Sequence, residues 1–263
     1  MSLLLAAALT WAAAAVPAHT RPAAPGWRLL WSDEFDGAAL DLKKWSCELG
    51  HGENGWGNEE LQAYTAKPDN IRVKDGRLII RAARDAGGFT SARIKSQGKF
   101  DFRYGRAAAR MKLPHGQGPW PAFWLLGADI SAKGWPDCGE IDIMESGMAG
   151  ASGAVSGAIH FTGEDGRHAY VSRKTRPATD GFHVYAVEWD ERRVAWLLDG
   201  REYFSQPLSG PAMKAFHERF FILLNLAVGG PATPYTGNRP PDQTVFPQSL
   251  QVDWVRVYQK SQG

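Results

Sequence analysis

Apolar and polar residues alternate along short segments of this chain, and turn-forming residues such as Gly, Pro and Asp separate the segments. In the clearest case, residues 250–258, Asp253 and Val255 fall on one face while Val252 and Trp254 fall on the other. This period of two is typical of β-strands. The pattern predicts strands over residues 27–31, 77–82, 105–113, 122–126, 140–145, 155–161, 183–189, 193–198, 219–228 and 250–258.

Turn signals and the scarcity of helical periodicity predict how these strands are organised. Asp199-Gly200 is a tight-turn pair between two strand-like segments and predicts a hairpin. Only residues 211–218 and 40–45 have the pattern of a short helix. Many short strands with few helices predict an all-β sandwich of two antiparallel sheets. No linker or repeat follows residue 26, so we expect one catalytic domain over residues 27–260, after a short lead of residues 19–26.

One predicted strand carries an unusual set of acidic residues, Glu140, Asp142 and Glu145. Strand interiors normally exclude acids, so three within six positions need a reason. Regular alternation places Glu140 and Asp142 on one face and sends Glu145 to the other. One extra residue near Ile143-Met144, a β-bulge, would return Glu145 to the face of the other two. The spacing therefore predicts a bulged strand with three carboxylates on a single surface.

Two glutamates flanking an aspartate are the groups that retaining glycoside hydrolysis requires. That reaction needs a nucleophilic carboxylate and a carboxylic acid roughly 5–5.5 Å apart. The Cα atoms of Glu140 and Glu145 would lie on the order of 13 Å apart, and two long side chains leaning inward can close most of that gap. Asp142, between them, would couple to the titration of its neighbours. The alternative interpretation is a solvated acidic face without catalytic function.

Composition narrows the class of ligand. The net charge of +2 gives no reason to expect a nucleic acid or an anionic membrane as partner. The chain has 11 Trp, several of them beside Gly, Pro or polar residues, and aromatic faces stack on sugar rings. Residues 1–18 have the apolar run and small-residue end of a signal peptide, although no basic residue precedes the run. We therefore expect a secreted protein that binds a carbohydrate.

The two cysteines, Cys47 and Cys138, lie far apart in the sequence. Secretion would permit a disulfide between them, but Cys138 can equally be a small buried group. No Cys/His cluster has the spacing of a zinc site.

The segment EIDIME at residues 140–145 resembles the bulged catalytic signature of glycoside hydrolase family 16. Further blocks of the same family occur in order over residues 27–259: WSDEF at 31–35, WGNEELQ at 56–62, TSAR at 90–93, WPAFW at 120–124, GWP at 134–136, FILLNLAVGG at 221–230 and VDWVRVY at 252–258. The chain is most similar to the laminarinase branch, which consists of endo-β-1,3-glucanases. The resemblance implies a β-jelly-roll sandwich with a concave substrate groove and a polysaccharide substrate.

The resemblance also implies roles for individual residues. Glu140 would be the nucleophile, Asp142 its assistant and Glu145 the acid/base. Sugar contacts would come from aromatic and polar residues of the groove, with His160 near Glu145 on the aglycone side: Trp120, Trp124, Asn58, Arg93, Trp135 and His160. No organic cofactor is expected, and the protein is expected to be a monomer. A structural calcium ion could bind Glu34, Gly76 and Asp253, since oxygen ligands from distant segments suit Ca²⁺.

Alternatives to a β-1,3-glucan remain open at this stage. Mixed-linkage β-1,3-1,4-glucan is a second expected substrate. The loops at residues 150–155 and 163–167 are lean and polar, and relatives with different loops act on galactans such as agar or carrageenan. A glucan-binding module without activity is the alternative from another class, but such relatives usually lack the two glutamates that this chain retains.

Overall fold

A computed structural model describes residues 25–147, 153–177 and 180–261. The predicted signal peptide, residues 1–18, lies outside the described residues, and of the lead only residues 25 and 26 lie within them. The strands are β1 Trp27–Asp33, β2 Ser46–Glu48, β3 Gln62–Tyr64, β4 Ile71–Lys74, β5 Arg77–Asp85, β6 Gly88–Ser91, β7 Arg93–Lys95, β8 Asp101–Phe102, β9 Gly105–Lys112, β10 Pro119–Gly127, β11 Glu140–Ser146, β12 Val155–Thr162, β13 His168–Thr175, β14 His183–Trp189, β15 Arg193–Leu198, β16 Arg201–Pro207, β17 Phe220–Val228 and β18 Gln248–Lys260.

These strands form two large sheets, which confirms the predicted all-β class. One sheet has the order β16-β15-β14-β9-β18-β5-β6-β3, with β1 and β4 pairing to β18 and β5. The other has the order β13-β12-β11-β10-β17-β7-β2, with β8 pairing to β17. The pairings are antiparallel as predicted, except that β3 and β6 run parallel. Strand β11, which carries the three acids, therefore lies in the interior of the second sheet, between β10 and β12.

The core lies where strand alternation turns apolar side chains inward. On β10, the fully buried Phe123 and Leu125 join the main core, together with Ile222 and Leu224 of the neighbouring β17. The intervening residues of β10 point to the opposite face of the sheet, as the period of two requires. Replacing a side chain such as Phe123 by Ala would cost about 3–5 kcal/mol. One face of this sheet is thus buried in the core, and the opposite face is available to form a binding site.

Helical structure in the described part of the chain is sparse and short. Of the two predicted helices, residues 211–218 form a 3₁₀ helix, Pro211–His217. The prediction over residues 40–45 was wrong: Asp41 accepts hydrogen bonds from the amides of Lys44 and Trp45 in a single turn. The chain then enters β2 at Ser46, and the buried Trp45 ring donates a 2.7 Å hydrogen bond to Asp33. The remaining short pieces are α1 Ile130–Lys133, a 3₁₀ turn Gln243–Val245 and a wide turn at Gly55–Glu59.

The two cysteines are free thiols. Cys47 lies on β2, at one edge of the second sheet, and Cys138 lies just before β11. Four strand spacings separate β2 from β11, which at about 5 Å each amount to about 20 Å. A disulfide needs Cα atoms within roughly 7 Å, so the fold keeps these residues apart. Among the described residues, no helix is long and apolar enough to cross a membrane.

Candidate active site

The outer face of the second sheet carries a cleft of about 800 Å³. Every second residue of the strands on the two sides of β11 lines it, as alternation requires: Trp120, Ala122, Trp124 and Leu126 from β10, Ser156, Ala158 and His160 from β12, and His168, Tyr170, Ser172 and Lys174 from β13. Loop residues complete the walls, among them Trp56, Asn58, Glu60, Trp135 and Tyr235. The cleft crosses the strands, so a long ligand would pass over several of them.

The strand β11 breaks this alternation, and the break brings its three acids into the cleft. Glu140, Asp142 and Glu145 all line it. Asp142 pairs with Ala158 of β12 and Glu145 pairs with Ser156, so three steps along β11 match two along β12. The register against β10 shifts at the same place. The predicted bulge at Ile143-Met144 is therefore present, and it supplies the odd step that returns Glu145 to the face of the other acids.

A buried indole holds the carboxyl group of Glu145. Trp120 Nε1 donates a 2.9 Å hydrogen bond to Glu145 Oε1. The Trp120 ring is 8% exposed and stacks on Tyr235, with centroids 4.5 Å apart. The Tyr235 hydroxyl lies 3.0 Å from the Ser156 hydroxyl, on the strand opposite Glu145. Trp120 therefore contacts both the acid and the cleft, while Tyr235 fixes it from behind.

A second indole and a histidine hold the other two acids. Trp135 Nε1 donates a 2.9 Å hydrogen bond to Glu140 Oε2. His160 Nε2 lies 3.1 Å from Asp142 Oδ2, and Asp142 is almost completely buried. His160 was expected near Glu145; its charge acts on that group, but its direct contact is Asp142. The register of β11 and β12 places it opposite Glu140, which is five residues away from Glu145 along the strand.

Proximity and burial change the acidity of all three groups. Burial, and then the charge of Asp142, raises the pKa of Glu140 to about 8, against the opposing effects of His160 and Trp135. Burial raises the pKa of Asp142 to about 7. Burial and the charges of Asp142 and Glu140 raise the pKa of Glu145 well above its usual value, although the Trp120 hydrogen bond opposes this. Three acids this close share protons, and Glu145 holds its proton strongly.

Polar and aromatic groups line the cleft on the β10 side of the acids. Trp124 donates a 2.8 Å hydrogen bond from its indole to Asn225 of β17. The Arg93 guanidinium lies 4.9 Å from the Trp124 ring and 4.7 Å from the Trp56 ring. Arg93 also forms an ion pair with Glu48 at 2.5 Å. Arg93 and Trp124 are therefore brought together on the cleft wall, each held in a fixed orientation.

Asn58, itself exposed, contacts a buried hydrogen-bond network around Glu60 that the sequence did not predict. It donates a hydrogen bond to Glu60, whose carboxyl group also accepts from Gln62 and from the Tyr64 hydroxyl at 2.7 and 3.0 Å. Burial raises the pKa of Glu60 despite these donors. Glu60 therefore ties the turn that carries Asn58 to strand β3. The sequence feature that could have indicated this network is the acidic residue Glu60 at the end of a polar, Gly-rich turn.

The residues predicted to bind calcium lie on or next to strands of the other sheet, and the two acids among them have arginine partners. Glu34 forms a bidentate ion pair with Arg256, whose Nε and Nη2 atoms lie 2.9 and 2.7 Å from the two carboxylate oxygens. Asp253 lies 2.7 Å from Arg110 and 3.8 Å from Arg77, and Gly76 occupies the turn between β4 and β5. The calcium site stays a prediction, in which the ion would compete with these arginines. Among the described residues, one acid/histidine group has metal-like spacing, Glu140, Asp142 and His160, with ligand atoms within 4.8 Å of one another.

Comparisons with known proteins agree with this geometry. The glucan endo-1,3-beta-glucosidase A1 of Niallia circulans is 37% identical, with 92% of this chain and 39% of the relative covered. The beta-glucanase of Rhodothermus marinus is 40% identical, with 89% of this chain and 86% of the relative covered. The crystal structure of the laminarinase from Flavobacterium sp. UMI-01 is 37% identical and superposes with a TM-score of 0.80, covering 88% of this chain and all of that one. The sandwich is thus the jelly roll that the sequence predicted.

This chain spans well under half of the first relative and most of the second. The model of the family described as glycosyl hydrolases family 16 matches residues 58–216, which include the bulged strand and most of the cleft-lining residues. By its sequence and its fold, the chain belongs to glycosyl hydrolases family 16.

Proposed function

We propose that this protein is a retaining endo-β-1,3-glucanase that also accepts mixed-linkage β-1,3-1,4-glucan. The observation that carries the proposal is the convergence of Glu140, Asp142 and Glu145 in one cleft, with an indole N–H on each glutamate. The named activities of the two glucanase relatives and of the laminarinase support β-1,3-glucan as the substrate class. A cleft that crosses several strands suits an internal stretch of a polymer better than a chain end.

In the first step, Glu145 donates its proton to the glycosidic oxygen while Glu140 attacks the anomeric carbon. The bond between that carbon and the glycosidic oxygen breaks, and the departing sugar leaves with the proton. The Trp135 hydrogen bond occupies Oε2 of Glu140, which leaves Oε1 to form the ester. The Trp120 hydrogen bond occupies Oε1 of Glu145 in the same way, so Oε2 carries the transferred proton.

In the second step, the Glu145 carboxylate takes a proton from water, and the resulting hydroxide-like oxygen attacks the anomeric carbon. The ester bond to Glu140 breaks, and the configuration of the substrate is restored by this second inversion. Asp142, next to Glu140, takes up or releases the shared proton as the charge on Glu140 changes. No step requires an organic cofactor. The predicted signal peptide, residues 1–18, supports the further proposal that the protein is secreted and meets its polymer outside the cell. That it acts as a monomer stays a prediction.

The experiment is to incubate the purified protein with laminarin, lichenan, agarose and carrageenan and to measure the release of oligosaccharides. We expect release from laminarin and a slower release from lichenan. Release from a galactan alone would contradict the proposed substrate. Release from no glycan, together with binding to laminarin, would favour a glucan-binding module.

A pair of variants tests the two roles. Glu140→Ala is expected to give α-glucosyl azide in the presence of azide and an activated substrate, because azide then attacks directly with one inversion. Glu145→Ala is expected to give the β-azide, because the ester to Glu140 still forms. The opposite pair of products would reverse the assignment of nucleophile and acid.

A further inference from the structure

The edge strand β13 carries an exposed histidine, His168, which lines the cleft two strands away from the carboxylates of β11. Its Nε2 lies 2.9 Å from Nδ1 of His160, which is a hydrogen-bonding distance. The two imidazole rings are nearly parallel, with centroids 5.1 Å apart. His168 also packs on the Trp135 ring, with centroids 4.6 Å apart. His168 thus contacts both side chains that touch Glu140 and Asp142.

The second nitrogen of His160 faces a carboxylate oxygen that needs a partner. Asp142 Oδ2 is buried and has no aligned hydrogen-bond donor among the described residues. His160 Nε2 lies 3.1 Å from it, within hydrogen-bonding distance, so the ring as it stands directs Nε2 towards this oxygen. Catalytic hydrogen bonds are often poorly aligned before substrate binds and tighten in the complex. The orientation of the His160 ring therefore decides whether this buried oxygen faces an imidazole nitrogen.

We propose that His168 is a positioning residue of this centre, whose hydrogen bond to Nδ1 holds the His160 ring with Nε2 towards Asp142. The inference rests on the proposed function, since it assigns a residue to the same reaction. A ring held at one nitrogen cannot swing away from the acid that the other nitrogen faces. Without that bond, His160 is free to turn towards the open cleft.

The expected consequence is a change in the protonation of the acids. Two neighbouring strands supply the titratable groups around His160. Glu140 and Asp142 of β11 lie on one side of it, and His168 and Tyr170 of β13 lie on the other. Burial and Asp142 raise the pKa of Glu140, and His160 acts against that rise. Loss of the His160 orientation should therefore raise the pKa of Glu140 further. Because the nucleophile must be ionised, the acid limb of the rate profile should move to higher pH.

Two variants separate the hydrogen bond from the ring contact. His168→Phe keeps an aromatic ring against Trp135 but cannot bond to His160. His168→Gln loses the ring but keeps an amide that can donate to or accept from Nδ1. The position is exposed, so we expect both variants to fold.

The measurement is the pH dependence of kcat/KM on laminarin for the three proteins. His168→Phe is expected to move the acid limb upwards by about 0.5–1 pH unit, with a roughly threefold to tenfold loss below the limb. His168→Gln is expected to keep the acid limb of the parent protein. A Phe variant with an unmoved limb, or a Gln variant that shifts as much as the Phe variant, would overturn the positioning role.

The positioning role can be tested separately from the proposed function. If the parent protein cleaves no glucan, the same three proteins are compared by proton NMR titration of the His160 ring, assigned with His160→Gln. The positioning role then predicts a displaced His160 titration in the Phe variant and an unchanged one in the Gln variant. Identical His160 titrations in all three proteins would overturn it.

Discussion

The hydrogen bond from Trp120 to Glu145 makes a quantitative prediction about the proposed acid. Trp120→Phe removes the indole N–H that lies 2.9 Å from Oε1, and keeps an aromatic ring to stack on Tyr235. Trp120 is buried, so water cannot freely replace the lost donor. The substitution therefore isolates one hydrogen bond to one carboxyl group.

The size of the effect follows from the charge that the bond stabilises. A hydrogen bond to a charged group contributes about 1.5–3 kcal/mol. One pKa unit corresponds to about 1.4 kcal/mol, so the loss should raise the pKa of Glu145 by about 1–2 units. The sign is fixed because the bond favours the carboxylate and already acts to lower this pKa. The acid then stays protonated to higher pH.

The assay is the pH dependence of kcat/KM on laminarin, whose alkaline limb reports the acid of the free enzyme. We expect this limb to move upwards by about 1–2 units in Trp120→Phe. Trp124→Phe is the matched control, because the Trp124 indole donates to Asn225 and to no catalytic acid. An alkaline limb that stays in place or moves down, in a variant with an unchanged melting temperature, would refute the assignment of Glu145 as the acid.

Three further predictions concern stability. Because the pKa of Glu140 is about 8 in the folded protein, against an ordinary 4.5, its ionisation destabilises the fold increasingly between those pH values; Glu140→Gln should gain up to about 4 kcal/mol at pH 8 and nothing at pH 4, and calorimetry showing an equal gain at both would contradict this. Reducing agent should leave the melting temperature unchanged, since both thiols are free; a fall of several degrees would indicate a bridge. Millimolar calcium should raise the melting temperature by about 1–2 °C over EDTA, and Asp253→Asn should abolish that gain; equal melting temperatures with calcium and EDTA would remove the calcium site.

Sequence patterns predicted ten of the eighteen strands in the described part of the chain, because the alternation along most of those ten shows which face is buried. The others are short or polar and show no clear period. The bulge in β11 was also predictable, since the spacing of Glu140, Asp142 and Glu145 fits a common face only with one extra residue. The position of His160 was not predictable in this way. Alternation fixes the face of a residue, but the register of β11 against β12 fixes its partner, and nothing local to His160 encodes that register.

The supporting residues were missed for a related reason. Tyr235 and His168 lie in a loop and on an edge strand, where the sequence is polar and weakly patterned. The arginine partners of Glu34 and Asp253 lie 222 and 143 residues away in the chain. Contacts over such separations depend on how the sheets close, which a single sequence does not specify.

The sequence by itself determined the class of fold, the identity of the three carboxylic acids and the bulge that gathers them. These features are local: they depend on strand period and on the order of residues within one strand. Only the tertiary structure decided which donor each acid receives, with Trp120 on Glu145, Trp135 on Glu140 and His160 beside Asp142. Those pairings set the acidity of the cluster, because burial and charge act through distances in space and not along the chain.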